Sequence, residues 1–168
     1  MKKFEKIFVT VGTTEFNELI YEIQKQEFVK VLQKLECKNL TVQFGNGTDF
    51  DFKNFESSTI DVQTYRTKPS ISDDICNADL VISHAGVGTC LEVLNYNKPL
   101  IAVINTELMN NHQNELATQL FKQKHLFVCE PNDLQKIILT SNFDELLPYK
   151  KGDMSIFIKK LDELMGFT

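Results

Sequence analysis

ISHAGVGTCLE, residues 82–92, places two glycines between a strand-like run and a helix-like one. It follows an apolar run (Ala78, Leu80, Val81, Ile82) that reads as a buried strand, and it opens a segment (Leu91, Val93, Leu94) that reads as a helix. A strand that ends in a glycine-bearing turn and feeds a helix points unpaired backbone N–H groups, at the positive end of the helix dipole, into the crevice in front of it. That is an anion site. Gly86 and Gly88 leave the turn without side chains, so a phosphate can approach the main chain, while Ser83, His84 and Thr89 add donors around it. Glu92, one turn into the helix, offers a carboxylate to sugar hydroxyls. A diphosphate flanked by ribose is the ligand that this arrangement suggests.

Outward from this stretch, apolar runs of strand length alternate with stretches of helical period. The alternation predicts an α/β fold, a Rossmann-like open, mostly parallel sheet with helices on both faces. The first strand is read over residues 7–11, and Gly12, Thr13 and Thr14 turn the chain. Phe16, Leu19, Ile20 and Ile23 then share one helical face, and Phe28, Val31, Leu32 and Leu35 form a second stripe. Strands follow at 40–44, at Ile60, Val62 and Thr64, at 99–104 and at 126–129, with a polar loop at 45–51. Helices are expected from beyond Pro69 to Asn77, over 89–97, 112–124 and the 130s, and at the end over 153–165. Three loops, residues 12–14, 83–89 and 105–113, would gather at the carboxyl edge of such a sheet, where ligands bind.

At 168 residues the chain reads as a single domain, large enough to bury about 70% of its unfolded surface without disulfides or metal. Its 23 acidic and 18 basic residues give a net charge of −5, and Arg66 is the only arginine, which argues against nucleic acid as a partner. Cys37, Cys76, Cys90 and Cys129 lack C-x-x-C spacing, and three of them sit in or beside apolar runs, as small buried hydrophobes do. Glu5 and Lys6 interrupt the first apolar run before a signal-peptide core forms, and no stretch approaches the ~20 apolar residues that span a bilayer. A cytoplasmic chain is expected, so the sequons at Asn39 and Asn46 carry no weight.

Several of these residues also have plainer readings. Thr89 and Glu92 match a capping box, Thr14 an ordinary N-cap, and Gly12 a turn and nothing more. His84, at a strand's carboxyl end beside glycines, has little to pack on and reads as a phosphate donor. The segment NNHQNELA, residues 110–117, contains an ordinary cap in Asn110 or Asn111, and His112, Gln113 and Glu115 offer donors and an acceptor suited to sugar hydroxyls. Asp49-Phe50-Asp51 is too short a D-x-D match to carry a metal, and His84, His112 and His125 lack ligand spacing, so no metal is expected. There is no P-loop motif and no G-x-S-x-G, and GVGTCL is an incomplete dinucleotide fingerprint in mid-chain.

FVTVGTTEFNELI, ADLVISHAGVGTCLE, NKPLIAV and LMNNHQNELA, in this order and spacing, closely resemble the cytosolic subunits of the eukaryotic two-subunit UDP-N-acetylglucosamine transferase. That enzyme adds the second sugar of the dolichol-linked oligosaccharide. The resemblance runs from about residue 4 to residue 129, less clearly to the end, and extends to the donor half of the two-domain GT-B glycosyltransferases. Their peptidoglycan-pathway member has a comparable glycine turn, a glutamate seven residues before a proline, and a Q-x-x-x-A helix start; here these are Glu92 before Pro99 and Gln113 before Ala117.

The resemblance implies roles for matching positions. Gly12, Thr13 and Thr14 would lie beside the diphosphate or the transferred sugar. Ser83, His84, Gly86, Gly88 and Thr89 would surround phosphate, His84 stabilising the leaving group, and Glu92 would bind ribose. Asn111, His112, Gln113 and Glu115 would meet N-acetylglucosamine. It implies an inverting transfer from UDP-N-acetylglucosamine to N-acetylglucosaminyl-diphosphodolichol, the second step of lipid-linked oligosaccharide synthesis for N-glycosylation, with no cofactor and no obligatory metal. A membrane-anchored partner subunit would bind the lipid acceptor, supply the base and recruit this chain to the cytosolic face of the endoplasmic reticulum. Residues 153–166 are the candidate docking helix, with packing on the chain's own sheet as the alternative. A bacterial-type polysaccharide glycosyltransferase subunit and a non-catalytic nucleotide-sugar-binding regulator remain open as other readings.

Overall fold

The computed structural model describes residues 2–106 and 111–150, with Lys159, Glu163 and Gly166 beyond them. Six strands take up the apolar runs: β1 (Lys6–Thr10), β2 (Asn39–Gln43), β3 (Asp61–Tyr65), β4 (Leu80–His84), β5 (Leu100–Val103) and β6 (Phe127–Cys129). Every pairing is parallel, in the order β3-β2-β1-β4-β5-β6. The helices are α1 (Asn17–Gln24), α2 (Gln26–Lys34), α3 (Ser72–Asn77), α4 (Val87–Asn95), α5 (Asn111–Lys122) and α6 (Leu134–Thr140). The chain builds β2 and β3 outward on one side of β1, then returns to place β4 on the other side. The sheet therefore reverses direction between β1 and β4, and a crevice opens there at the carboxyl ends of the strands.

Side chains alternate across each strand, so both faces of the sheet need cover. Ile7 and Val9 of β1 and Ile82 of β4 pack with Leu19, Ile20, Ile23, Phe28 and Leu32 of α1 and α2. Phe8 and Val81, one position along, pack on the opposite face with Ile75, Val93, Leu94, Leu116 and Leu120 of α3, α4 and α5. Burial on both faces is why the central strands read as unbroken apolar runs. β3 lies at the edge with no more than partial burial, in keeping with its alternating sequence.

The crossover from β2 to β3 carries no helix. A parallel pair needs a connection of a dozen or more residues, and here it is a loop filled by aromatic rings. Phe50 and Phe55 are buried with ring centroids 5.7 Å apart, and Phe52 meets Phe50 edge-on at 5.2 Å. Cys37, Cys90 and Cys129 are buried as expected, and burial pushes each thiol up to about 12, whereas Cys76 is exposed. No helix among the described residues is long and apolar enough to cross a membrane. The helix expected over residues 153–165 lies outside the described residues, apart from the helical and exposed Lys159 and Glu163.

Candidate functional site

Thr10 of β1 is the register partner of Ser83 of β4, so the loops that leave these two strands face each other. In the first loop Gly12 takes φ +64°, a left-handed conformation that favours glycine. Its N–H donates to the hydroxyl of Thr10 (2.9 Å), which in turn donates to Gln43 Oε1, and both of these polar side chains are buried. Thr13 and Thr14 are exposed at the tip. The N-cap reading of Thr14 is not realised: α1 starts at Asn17 after Phe16, and the Thr14 hydroxyl donates back to the Val11 carbonyl at 2.8 Å.

A neighbouring loop fixes this tip. Asn46 donates from its side-chain amide to the Thr13 carbonyl (2.8 Å) and from its backbone to that of Thr14 (3.1 Å), and the Thr48 N–H donates to Asn17 Oδ1 (2.8 Å). Arg66 holds the brace from behind. Its guanidinium donates to the carbonyls of Gly45 (3.2 Å) and Gly47 (3.1 Å), pairs with Asp49, and lies 4.9 Å from the centre of the Phe44 ring. The D-x-D carboxylates are thus engaged locally, Asp49 by Arg66 and Asp51 by the Lys53 N–H.

The second loop is shorter than the sequence suggests. Helix α4 begins at Val87, two residues before Thr89, with Gly86 in extended geometry (φ −69°, ψ 128°) at the cap and no side chain satisfying it. Thr89 is therefore the third helical residue, and the Thr89–Glu92 capping box does not form. The first-turn N–H groups of α4 are left for an acceptor from outside the helix. Gly88 stands exposed, and a methyl group on it would meet nothing within 4 Å. Ser83 departs from expectation: it is fully buried and its hydroxyl donates to the His84 carbonyl (2.8 Å), so it shapes the turn without reaching the cleft.

His84 is packed, contrary to the reading that it has little to pack on. A methyl group on Gly86 would lie 2.3 Å from its Nε2, and one on Gly12 would lie 3.0 Å from its Cε1. The imidazole thus fills the space that the two glycines leave between the loops. Burial lowers its pKa below 6.5, partly offset by a hydrogen bond to the Thr10 main chain, so the ring is neutral at pH 7. A neutral imidazole offers a single N–H and no positive charge. Glu92, half-buried on α4, accepts a hydrogen bond at Oε1 from the hydroxyl of Ser72, the first residue of α3, at 3.0 Å. Glu115 is exposed on α5. The side chains of Asn111, His112 and Gln113 lie outside what is described.

The structure thus brings Gly12, Thr13, Thr14, His84, Gly86, Gly88, Thr89 and Glu92 to one edge of the sheet. It adds Thr10, Gln43, Asn46, Arg66 and Ser72, which the motif reading passed over. Thr10 had a visible signal, as a hydroxyl at the end of an apolar run. Ser72 had none, because its partner Glu92 is twenty residues away.

The opposite edge also carries a cavity, about 520 Å³, lined by Lys2, Lys3, Glu5, Asp79 and Lys98 among others. It lies at the amino ends of β1, β4 and β5, where α3 and α4 end and point carbonyls outward, an unfavourable field for phosphate. Lys2 and Lys3 are moreover paired with Asp144 and Glu36. Among the described residues no cluster of His, Cys, Asp and Glu could hold a metal ion.

Comparison with known proteins bears on the family and the fold. The family model for the glycosyltransferase family 28 C-terminal domain matches residues 6–165. UDP-N-acetylglucosamine transferase subunit ALG13 of Mus musculus is 48% identical over 125 residues, which is 74% of this chain and 11% of that protein. The chain thus spans about a tenth of the length of that relative. A solution structure of ALG13 superposes with a TM-score of 0.69 at 23% identity, covering 95% of this chain and 96% of the other. MurG of Acinetobacter baumannii superposes with a TM-score of 0.65 at 19% identity, covering 87% of this chain and 44% of the other. These two likenesses establish the fold, that of GT-B C-terminal domains.

Proposed function

This chain belongs to the glycosyltransferase family 28 C-terminal domain family, and from that premise we propose that it is the donor-binding subunit of a UDP-N-acetylglucosamine transferase. The observation that carries the reading is the uncapped amino end of α4, facing the Gly12–Thr14 tip, with the Glu92 carboxylate one turn further along. A diphosphate laid across the first turn would accept from its N–H groups and from the hydroxyls of Thr89 and Thr13, with Thr14 shaping the tip through its bond to the Val11 carbonyl. The ribose would then fall on Glu92. His112, Gln113 and Glu115 at the start of α5 are the groups proposed for the N-acetylglucosamine.

The chemistry follows from where charge grows. In an inverting transfer an acceptor hydroxyl attacks the anomeric carbon as the bond to the diphosphate breaks, and the UDP leaving group gains negative charge. Main-chain donors that already point at that position stabilise the transition state without reorganising, which is the largest contribution such a site makes. With these donors no obligatory metal is needed to neutralise the leaving group. The neutral His84, with its single N–H turned to the Thr10 main chain, keeps the two loops at their spacing around the leaving group. The acceptor is proposed to be N-acetylglucosaminyl-diphosphodolichol, presented at the cytosolic face of the endoplasmic reticulum by a membrane-anchored partner subunit that also supplies the base.

Reconstitution tests the division of labour. The purified chain, its membrane-anchored partner, UDP-N-acetylglucosamine and the chitobiose-precursor lipid together are expected to form the disaccharide lipid, and the chain alone is not. Transfer by the chain alone at the rate of the pair would refute the assignment. Glu92→Gln should weaken UDP-N-acetylglucosamine binding about tenfold, the worth of a hydrogen bond to a charged group (~1.5 kcal/mol).

A further inference from the structure

The hydroxyls of Ser70 and Ser72 form a directed chain toward the cleft. Ser70 Oγ donates to Ser72 Oγ (3.0 Å), Ser72 Oγ donates to Glu92 Oε1 (3.0 Å), and the Ser72 N–H returns to Ser70 Oγ (3.2 Å). Because the Ser72 hydroxyl accepts from Ser70, its own proton is committed to the carboxylate. Ser72 opens α3 and Glu92 sits within α4, so the bond ties two helices that cover the same face of the sheet.

A glutamate has three side-chain torsions, and an untethered one loses rotamer freedom when it receives a ligand. Here one carboxylate oxygen is fixed beforehand. The second oxygen, with the remaining lone pair of the first, stays available to two adjacent donors, which is the pattern of a vicinal diol.

We infer that Ser72 is a positioning residue that presets the Glu92 carboxylate to receive the 2′- and 3′-hydroxyls of the nucleotide ribose. The inference rests on the reading of Glu92 as the ribose acceptor, and it adds a residue from a different helix that sets the selectivity of the site for a ribonucleotide. Ser72 touches no ligand itself. Its effect passes through Glu92, so it must vanish when the ribose cannot engage Glu92.

The test titrates UDP and 2′,3′-dideoxy-UDP into the chain, up to millimolar concentrations, with wild type, Ser72→Ala and Ser72→Thr in parallel. Thermal unfolding monitors whether each variant folds. Wild type is expected to prefer UDP. Ser72→Ala should weaken UDP binding about three- to tenfold, the factor for immobilising one flexible side chain, while 2′,3′-dideoxy-UDP binds it as it binds wild type. Ser72→Thr, which keeps the hydroxyl, should restore the preference. If wild type prefers UDP but Ser72→Ala binds both nucleotides as wild type does, binds UDP more tightly, or loses both equally, the role of Ser72 is overturned and the Glu92 reading stands. If wild type binds the two nucleotides alike, or neither, the Glu92 reading fails and this inference fails with it.

Discussion

His84 shows how a residue's role is set by what its neighbours lack. Gly12 and Gly86 are 74 positions apart, yet each leaves a Cβ-sized space that the imidazole fills. In the linear chain the glycines look like absences beside a lone histidine, so the ring was expected to project into a ligand site. Three-dimensional packing reverses that. The consequence is measurable in pH. In the unfolded chain the imidazole takes up a proton near 6.5, whereas burial in the fold delays protonation to a lower pH. Between those two values the unfolded state binds more protons, so stability rises with pH there. The contribution is complete above 6.5 and is lost as pH falls through the folded value. Urea unfolding of wild type should therefore show stability declining below pH 6.5, and His84→Gln should show a shallower decline. Equal slopes would mean that His84 titrates as freely in the fold as outside it.

Among the elements, the strands were legible because burial on both faces writes a continuous apolar run, as in Leu80, Val81 and Ile82. The start of α4 was not. Thr89 carries a strong capping side chain, but His84 presses on Gly86 and the helix begins immediately after it, so the backbone turn outweighs the side-chain preference. The brace on the Gly12–Thr14 tip was equally hidden, since residues 45–51 read only as a polar loop. Gly45 is its tightest point: at φ +62°, a methyl group there would lie 2.1 Å from the Thr14 carbonyl oxygen. Backbone cannot yield as a side chain can. Gly45→Ala should lower unfolding free energy by about 1–3 kcal/mol from the left-handed conformation alone, and it should weaken UDP binding by displacing the tip. A variant destabilised to this degree but with unchanged UDP affinity would show that the Gly12–Thr14 tip is not part of the nucleotide site.

For the molecule as a whole, the order β3-β2-β1-β4-β5-β6 puts both glycine-bearing loops on adjacent strands at the reversal point, and the site follows from that topology. Helices α1–α6 are distributed over both faces of the sheet. In the sequence, Met154, Phe157, Ile158, Leu161, Leu164 and Met165 recur at helical spacing, a stripe that would suit either a partner or the chain's own sheet. Truncation after Gly152 is expected to leave a folded chain that binds UDP and no longer co-purifies with the proposed membrane-anchored subunit. Loss of the fold would instead assign that segment to the core. If the amino end of α4 grips the diphosphate, amide chemical-shift mapping of the chain titrated with UDP-N-acetylglucosamine will show it. The largest shifts should fall on Gly86, Val87, Gly88 and Thr89, with a second set at Gly12, Thr13 and Thr14. Shifts concentrated instead around Lys3, Asp79 and Lys98, at the opposite edge of the sheet, would contradict it.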